Sequence, residues 1–232
     1  MKRTGYHLAA ALALLLAGCA SGGPDDGLGV RKLSWFSYLN ADDLRGQCKA
    51  GSPERLRLVL NADYAEHVRT YDLTVDDKTG CGEMVIRVMK AASLTDLTSS
   101  GSLLDPWRGV RKTVSLPPKH TAALLGRITR SGAFDSPPVG LSLSSTEFYW
   151  LVSGCHLGQA FVTAYRLSGK GASEPAFVTA LEALDTSGVA FPDAAARDLQ
   201  LSRMPPHSAQ EISLTFTIRI GDNGLRGMLP PL

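Results

Sequence analysis

Residues 55–90 read RLRLVLNADYAEHVRTYDLTVDDKTGCGEMVIRVMK. Leu56, Leu58 and Leu60 alternate with Arg55, Arg57 and Val59, the period of two expected of a strand. After the turn signal Asn61-Ala62-Asp63-Tyr64, the run from His67 to Val75 alternates again through Arg69, Tyr71 and Leu73. Asp76-Asp77-Lys78-Thr79-Gly80 is a second turn, and Met84, Ile86 and Val88 then alternate with Val85, Arg87 and Met89. Three short strands joined by turn-rich links predict an antiparallel meander.

Working outward, Val110 to Leu116 reads as a further strand, and Ala91 to Arg108 as a loop. Pro117 to Arg130 predicts a helix with Pro in its first turn and Leu124, Leu125 and Ile128 on one face. Arg127 and Arg130 lie near its negative end, and Gly132 stops it. Glu147 to Val152 and Ala160 to Leu167 flank Ser153 to Gly158, which predicts a hairpin with Cys155 and His156 in its turn. Ser173 is placed to cap a second helix carrying Phe177, Leu181 and Leu184, ended by Gly188. Ile212, Leu214, Phe216, Ile218 and Ile220 alternate without error, so residues 211–220 predict a last strand with one wet face. The tail from Leu225 reads as irregular. Leu33 to Leu39, dense in aromatics, reads as a first strand or strap on the core, with a rest among lipid headgroups as the alternative. The order implies an α+β fold: an antiparallel sheet, built of meander, hairpin and C-terminal strand, with two main helices packed on it. Both helices finish with Ser-Gly and a nearby Phe, read as shared helix-ending chemistry rather than duplication.

The chain has 232 residues, 44% hydrophobic and 20% charged, which is a globular composition. Its formal charge is only +2, so it lacks the basic footprint of a nucleic-acid binder. Lys2 and Arg3 precede a Leu/Ala run from Leu8 to Ala17, too short to span a bilayer and suited to the apolar core of a secretory signal. The run ends in Leu16-Ala17-Gly18-Cys19. This segment resembles the lipobox of bacterial lipoproteins. The resemblance implies cleavage before Cys19, acylation of its thiol and attachment to the membrane through that anchor. Ala20, where similar proteins retained at the inner membrane carry Asp, implies the periplasmic face of the outer membrane. The division that follows is a signal peptide at 1–18, a lipidated flexible tether at 19–32 and one globular domain at 33–232. Without Lys2 and Arg3, 22 basic side chains balance 22 acidic ones. Residues 117–187, with Ser131-Gly132-Ala133-Phe134, Phe148-Tyr149-Trp150 and Phe177 to Leu184, also resemble a pattern in uncharacterised bacterial envelope proteins, which implies no activity.

Complete catalytic motifs are absent from the sequence: it holds no Gly-x-Ser-x-Gly elbow, no His-Glu-x-x-His helix and no Walker loop. Cys155-His156 invites a nucleophile-and-base reading, and Cys81, Cys155 and His156 a zinc reading without a supporting Cys-x-x-Cys frame. His67, Arg69, Arg55 and Arg57 form a candidate basic face for an acidic partner, or a solvated face balanced by Asp63, Glu66 and Asp72. The Ser213-Thr215-Thr217 stripe could add a strand or ligand, or be ordinary strand composition. An exported chain with Cys48, Cys81 and Cys155 predicts one disulfide, and meander topology selects Cys48–Cys81 because both reach one end of the sheet. The expected function is non-enzymatic binding of a protein or envelope component, with no cofactor. The alternatives are a periplasmic hydrolase using Cys155 and His156 or an unrecognised site, and a small-molecule binding module.

Overall fold

The structure, a computed structural model, describes residues 35–64, 66–90, 109–167, 174–192 and 216–229. Cys19, the tether, the Ala91 to Arg108 link, Ser173 and residues 211–215 lie outside them. The predicted meander is present as β1 (Arg55–Ala62), β2 (His67–Val75) and β3 (Gly82–Lys90), extended by β4 (Val110–Leu116). The second turn forms as its composition suggests: the Asp76 carboxylate accepts the Lys78 N–H at 2.8 Å, and Gly80 takes φ +70°.

The hairpin is β6 (Phe148–His156) with β7 (Gln159–Arg166). Its strand runs further than expected, and the turn is only Leu157-Gly158, both left-handed at φ +48° and +75°. A two-residue turn of this hand matches the twist of its strands, but Leu is a poor occupant of the first position. Leu157 is 78% exposed and has little packing to lose. Leu157→Asn is therefore expected to raise stability by about 0.5–1 kcal/mol, read as a higher thermal midpoint; an unchanged midpoint would show the turn to be unstrained.

All six of these strands form one antiparallel sheet in the order β4-β3-β2-β1-β6-β7. Each half runs outward from the central β1–β2 pair through a hairpin, β3–β4 or β6–β7. A second sheet has the order β5-β8-β9, from β5 (Ser142–Ser144), β8 (Thr217–Gly221) and β9 (Gly224–Leu229). Within the described part of the predicted last strand the alternation holds: Phe216, Ile218 and Ile220 are buried, while Thr217 and Arg219 are exposed. Within the described residues the tail is not irregular, since Leu225 to Leu229 lie in a strand. Gly221 pairs with Gly224 across Asp222-Asn223, so the chain reverses and adds β9, a hairpin that the Asn223-Gly224 step could have signalled.

Four helices are described: α1 (residues 35–40), α2 (Asp42–Arg45), α3 (Pro118–Arg130) and α4 (Val178–Leu184). Residues 35–39 are thus helical rather than a strand, because a helix sets Trp35 and Leu39, one turn apart, on the same inward side. α3 follows its prediction closely. The N–H of Ala133 reaches Ile128 O and that of Gly132 reaches Thr129 O, and Gly132 at φ +73° closes the end. α4 is shorter than expected and ends at Leu184, four residues before Gly188.

Each face of the large sheet has its own buried cluster. On the first, Leu56, Leu58, Tyr71, Ile86 and Trp150 join Leu124 and Ile128 of α3 and Val178 and Leu181 of α4. On the second, Val59, Val68, Tyr149 and Leu151 join Trp35 and Leu39 of α1 and Ile218 and Ile220 of β8. This double burial explains why β1 is buried almost throughout, although its sequence alternates.

Candidate functional site

The thiols differ from the sequence expectation. Cys48 is bonded to Cys155, with Cα atoms 5.4 Å apart, and Cys81 is free and exposed. The reasoning that brought Cys48 to one end of the sheet holds, but its partner comes from the other side. β6 pairs with β1 so that Cys155 lies opposite Arg55, a neighbour the meander alone could not reveal. Cys81 sits across β1 and β2, in the turn that joins β2 to β3. The Cys155 sulfur, oxidised and nearly fully buried, is therefore no nucleophile and no zinc ligand. Among the described residues no three His, Cys, Asp or Glu side chains gather as a metal site.

His156 has another role. Its Nδ1 lies 2.8 Å from Glu54 Oε2, and the second Glu54 oxygen accepts the Leu157 N–H at 2.8 Å. The imidazole lies flat on the Phe134 ring, with centroids 3.5 Å apart. Glu54 and Phe134 thus hold the hairpin end against the loop that follows α3.

The candidate basic face does not exist as one solvated surface. Arg69 pairs with Leu60 and Arg57 with Asp72, which puts the two guanidinium groups on opposite faces of the sheet. Both are buried, Arg57 to 5% exposure and Arg69 to 0%. On the first face, Arg69 Nη1 meets Asp185 Oδ2 at 2.9 Å, and Nη2 donates to the carbonyls of Val189 and Ala190. Its guanidinium lies 3.8 Å from the Phe191 ring centre, and Tyr71 donates its hydroxyl to the same Asp185 oxygen at 2.6 Å. Burial, with the hydrogen bond to Asp185, pushes the Tyr71 phenol well above its ordinary range, so it stays a donor.

On the second face, Arg57 carries a denser arrangement. Its Nε donates to Asp72 Oδ1 at 2.6 Å, while Nη1 and Nη2 grip both oxygens of Asp43, on α2, at 2.9 and 3.0 Å. Nη1 also donates to Tyr38 O, and the Tyr38 ring lies 3.7 Å from the guanidinium carbon. Arg87 Nη1 takes the other Asp72 oxygen at 2.7 Å, and the Tyr38 hydroxyl donates to Thr70 Oγ1 at 3.0 Å. Burial, followed by the Asp72 charge, raises the Tyr38 phenol to about 12, so it is neutral. Burial opposes the Arg57 charge, but the Asp72 charge and the bonds to Asp43 and Asp72 outweigh it. The result is a permanently charged, pre-aimed fork that takes a carboxylate through two parallel bonds.

Sequence reasoning found Arg57 and Arg69 and named Asp72 among the acids that would balance them, but it missed Asp43 and Asp185. Thr217 of the Ser-Thr stripe is exposed on β8, and the rest of that stripe lies outside the described residues. Neither a family model nor a curated protein nor a solved structure matches the chain.

Proposed function

We propose that the chain is a bacterial lipoprotein, acylated at Cys19 and held at the periplasmic face of the outer membrane. On this reading, residues 33–232 form one α+β domain, α3 and α4 cover one face of its sheet, and it binds a protein or envelope component without catalysing a reaction. The observation that carries the reading is Leu16-Ala17-Gly18-Cys19, directly after a basic start and a short apolar run. More than one acyl chain on a single residue gives stable anchoring where one would not. The Cys48–Cys155 disulfide supports the same compartment, because such bonds persist where the surroundings are oxidising.

The test is Cys19→Ser. The variant should incorporate no labelled palmitate and should leave the membrane fraction or remain unprocessed. Retention in membranes as tight as that of the parent chain would overturn the anchor.

A further inference from the structure

Asp43 differs from every other partner of the buried guanidinium groups. Its side chain is 56% exposed, whereas that of Arg57 is 6% exposed. The carboxylate therefore approaches the fork from the solvent side and is held by a short surface helix. Asp72 is shared between Arg57 and Arg87 at 2.6 and 2.7 Å, so the sheet supplies two cations and one anion, and Asp43 completes the balance. The joint that presents Asp43 is unfavourable in itself. Ala41, between α1 and α2, is wholly buried at φ +51°, a left-handed conformation that favours glycine, and α2 has no side-chain cap. Only Leu44 of α2 is buried, and the turn is otherwise held by the exposed bond from Arg45 to the Asn223 side chain at 2.6 Å, which must open for α2 to move.

From this geometry we propose that the Nη1/Nη2 edge of Arg57 is a carboxylate-binding site, that Asp43 occupies it as a built-in stand-in, and that a carboxylate ligand takes the same position when α2 swings away. The site has the parts such a ligand needs: a planar fork and the Tyr38 ring against the guanidinium. Arg57 is locked in direction by Asp72 through Nε, so it does not follow Asp43 when α2 moves. The inference stands on Arg57 and Asp43 and holds whether or not Cys19 is acylated.

The experiment uses the full chain with Asp43→Asn, which keeps shape and removes charge. Sodium acetate is titrated against sodium chloride at matched ionic strength, with the thermal midpoint as readout. Acetate should raise the variant's midpoint by about 3 °C in a saturable manner, with half the effect on the order of 10 mM. The parent chain, whose fork is already filled, should show no rise beyond that in chloride, and Asp43→Asn combined with Arg57→Lys should lose the response. Asp43→Ser, smaller and equally uncharged, should repeat the result. An acetate response in either single variant no larger than that in chloride, or an equal response in the parent chain, overturns the proposal. Inorganic phosphate acting as well as acetate overturns the assignment to carboxylates.

Discussion

Asp185→Ala is expected to cost about 3–5 kcal/mol of stability, the range for removing one partner of a buried ion pair. Arg69 is fully buried, and Asp185 is its counter-charge at 2.9 Å. The same carboxylate accepts from Tyr71 and, through its other oxygen, from the Ser187 N–H at 2.7 Å. Alanine would leave a desolvated cation with only the Val189 and Ala190 carbonyls and the Phe191 ring. Asp185→Asn, which keeps polar contacts without the charge, should lie between. Denaturant titration checks this, the midpoint falling while the slope stays constant. A loss below about 1 kcal/mol would mean that water or a rearranged loop replaces the carboxylate.

The same residue fixes a pH dependence. Burial alone would raise the Asp185 carboxyl, but the bonds from Ser187 and Tyr71 and the Arg69 charge hold it below the usual carboxylate range. The folded form therefore binds its proton less readily than the unfolded chain. Its contribution is complete above the unfolded carboxyl value of about 3.9 and fades as pH falls through the folded one. The gap between parent and Asp185→Ala chains should accordingly narrow on acidification below about pH 4.

The second large effect is at the disulfide. Cys48 and Cys155 are 107 residues apart in sequence, and a loop of that size contributes roughly 4–5 kcal/mol by chain entropy. Cys155→Ala, or reduction of the parent chain, should remove most of it, whereas Cys81→Ser should change little. Non-reducing peptide mapping separates this pairing from its rival. A peptide joining Cys48 to Cys155 is expected, with Cys81 labelled by maleimide in the folded protein; a Cys48–Cys81 peptide would refute it.

Local pattern carried the reading where neighbours in sequence are neighbours in space. The meander, the Asp76 to Gly80 turn and α3 with its Gly132 ending are all of this kind. It failed where a distant segment decides the environment. Alternation in β1 suggested one wet face because nothing in residues 55–62 announces that α1 and the second sheet lie on the other side. Arg57 and Arg69 looked like a shared surface because facing across strands depends on register, and Leu60 opposite Arg69 is a fact of pairing. The Cys155 pairing was hidden for the same reason, since β6 returns to β1 only after α3 and β5. Asp43 and Asp185 gave no signal at all: each acts from a short segment whose position is set by tertiary contacts.

The hydrogen bonds of α1 and α2 have a bearing on time as well as on energy. Arg45 donates to the Asn223 side chain at 2.6 Å, and Asn40 accepts the Leu225 N–H at 2.7 Å, partners 178 and 185 residues later in the chain. In a chain that emerges N-terminus first, these first helices wait for the β8–β9 hairpin. The β1–β4 meander is local and can pair at once, but its second face has no complete cover until the final hairpin emerges. Throughout that interval Val59 and Val68, with Tyr149 and Leu151 once they follow, face water beside a half-shielded Arg57. A nascent chain stalled before residue 224 should therefore carry an open apolar sheet face, the surface on which a holding chaperone or an aggregating neighbour would compete with the fold.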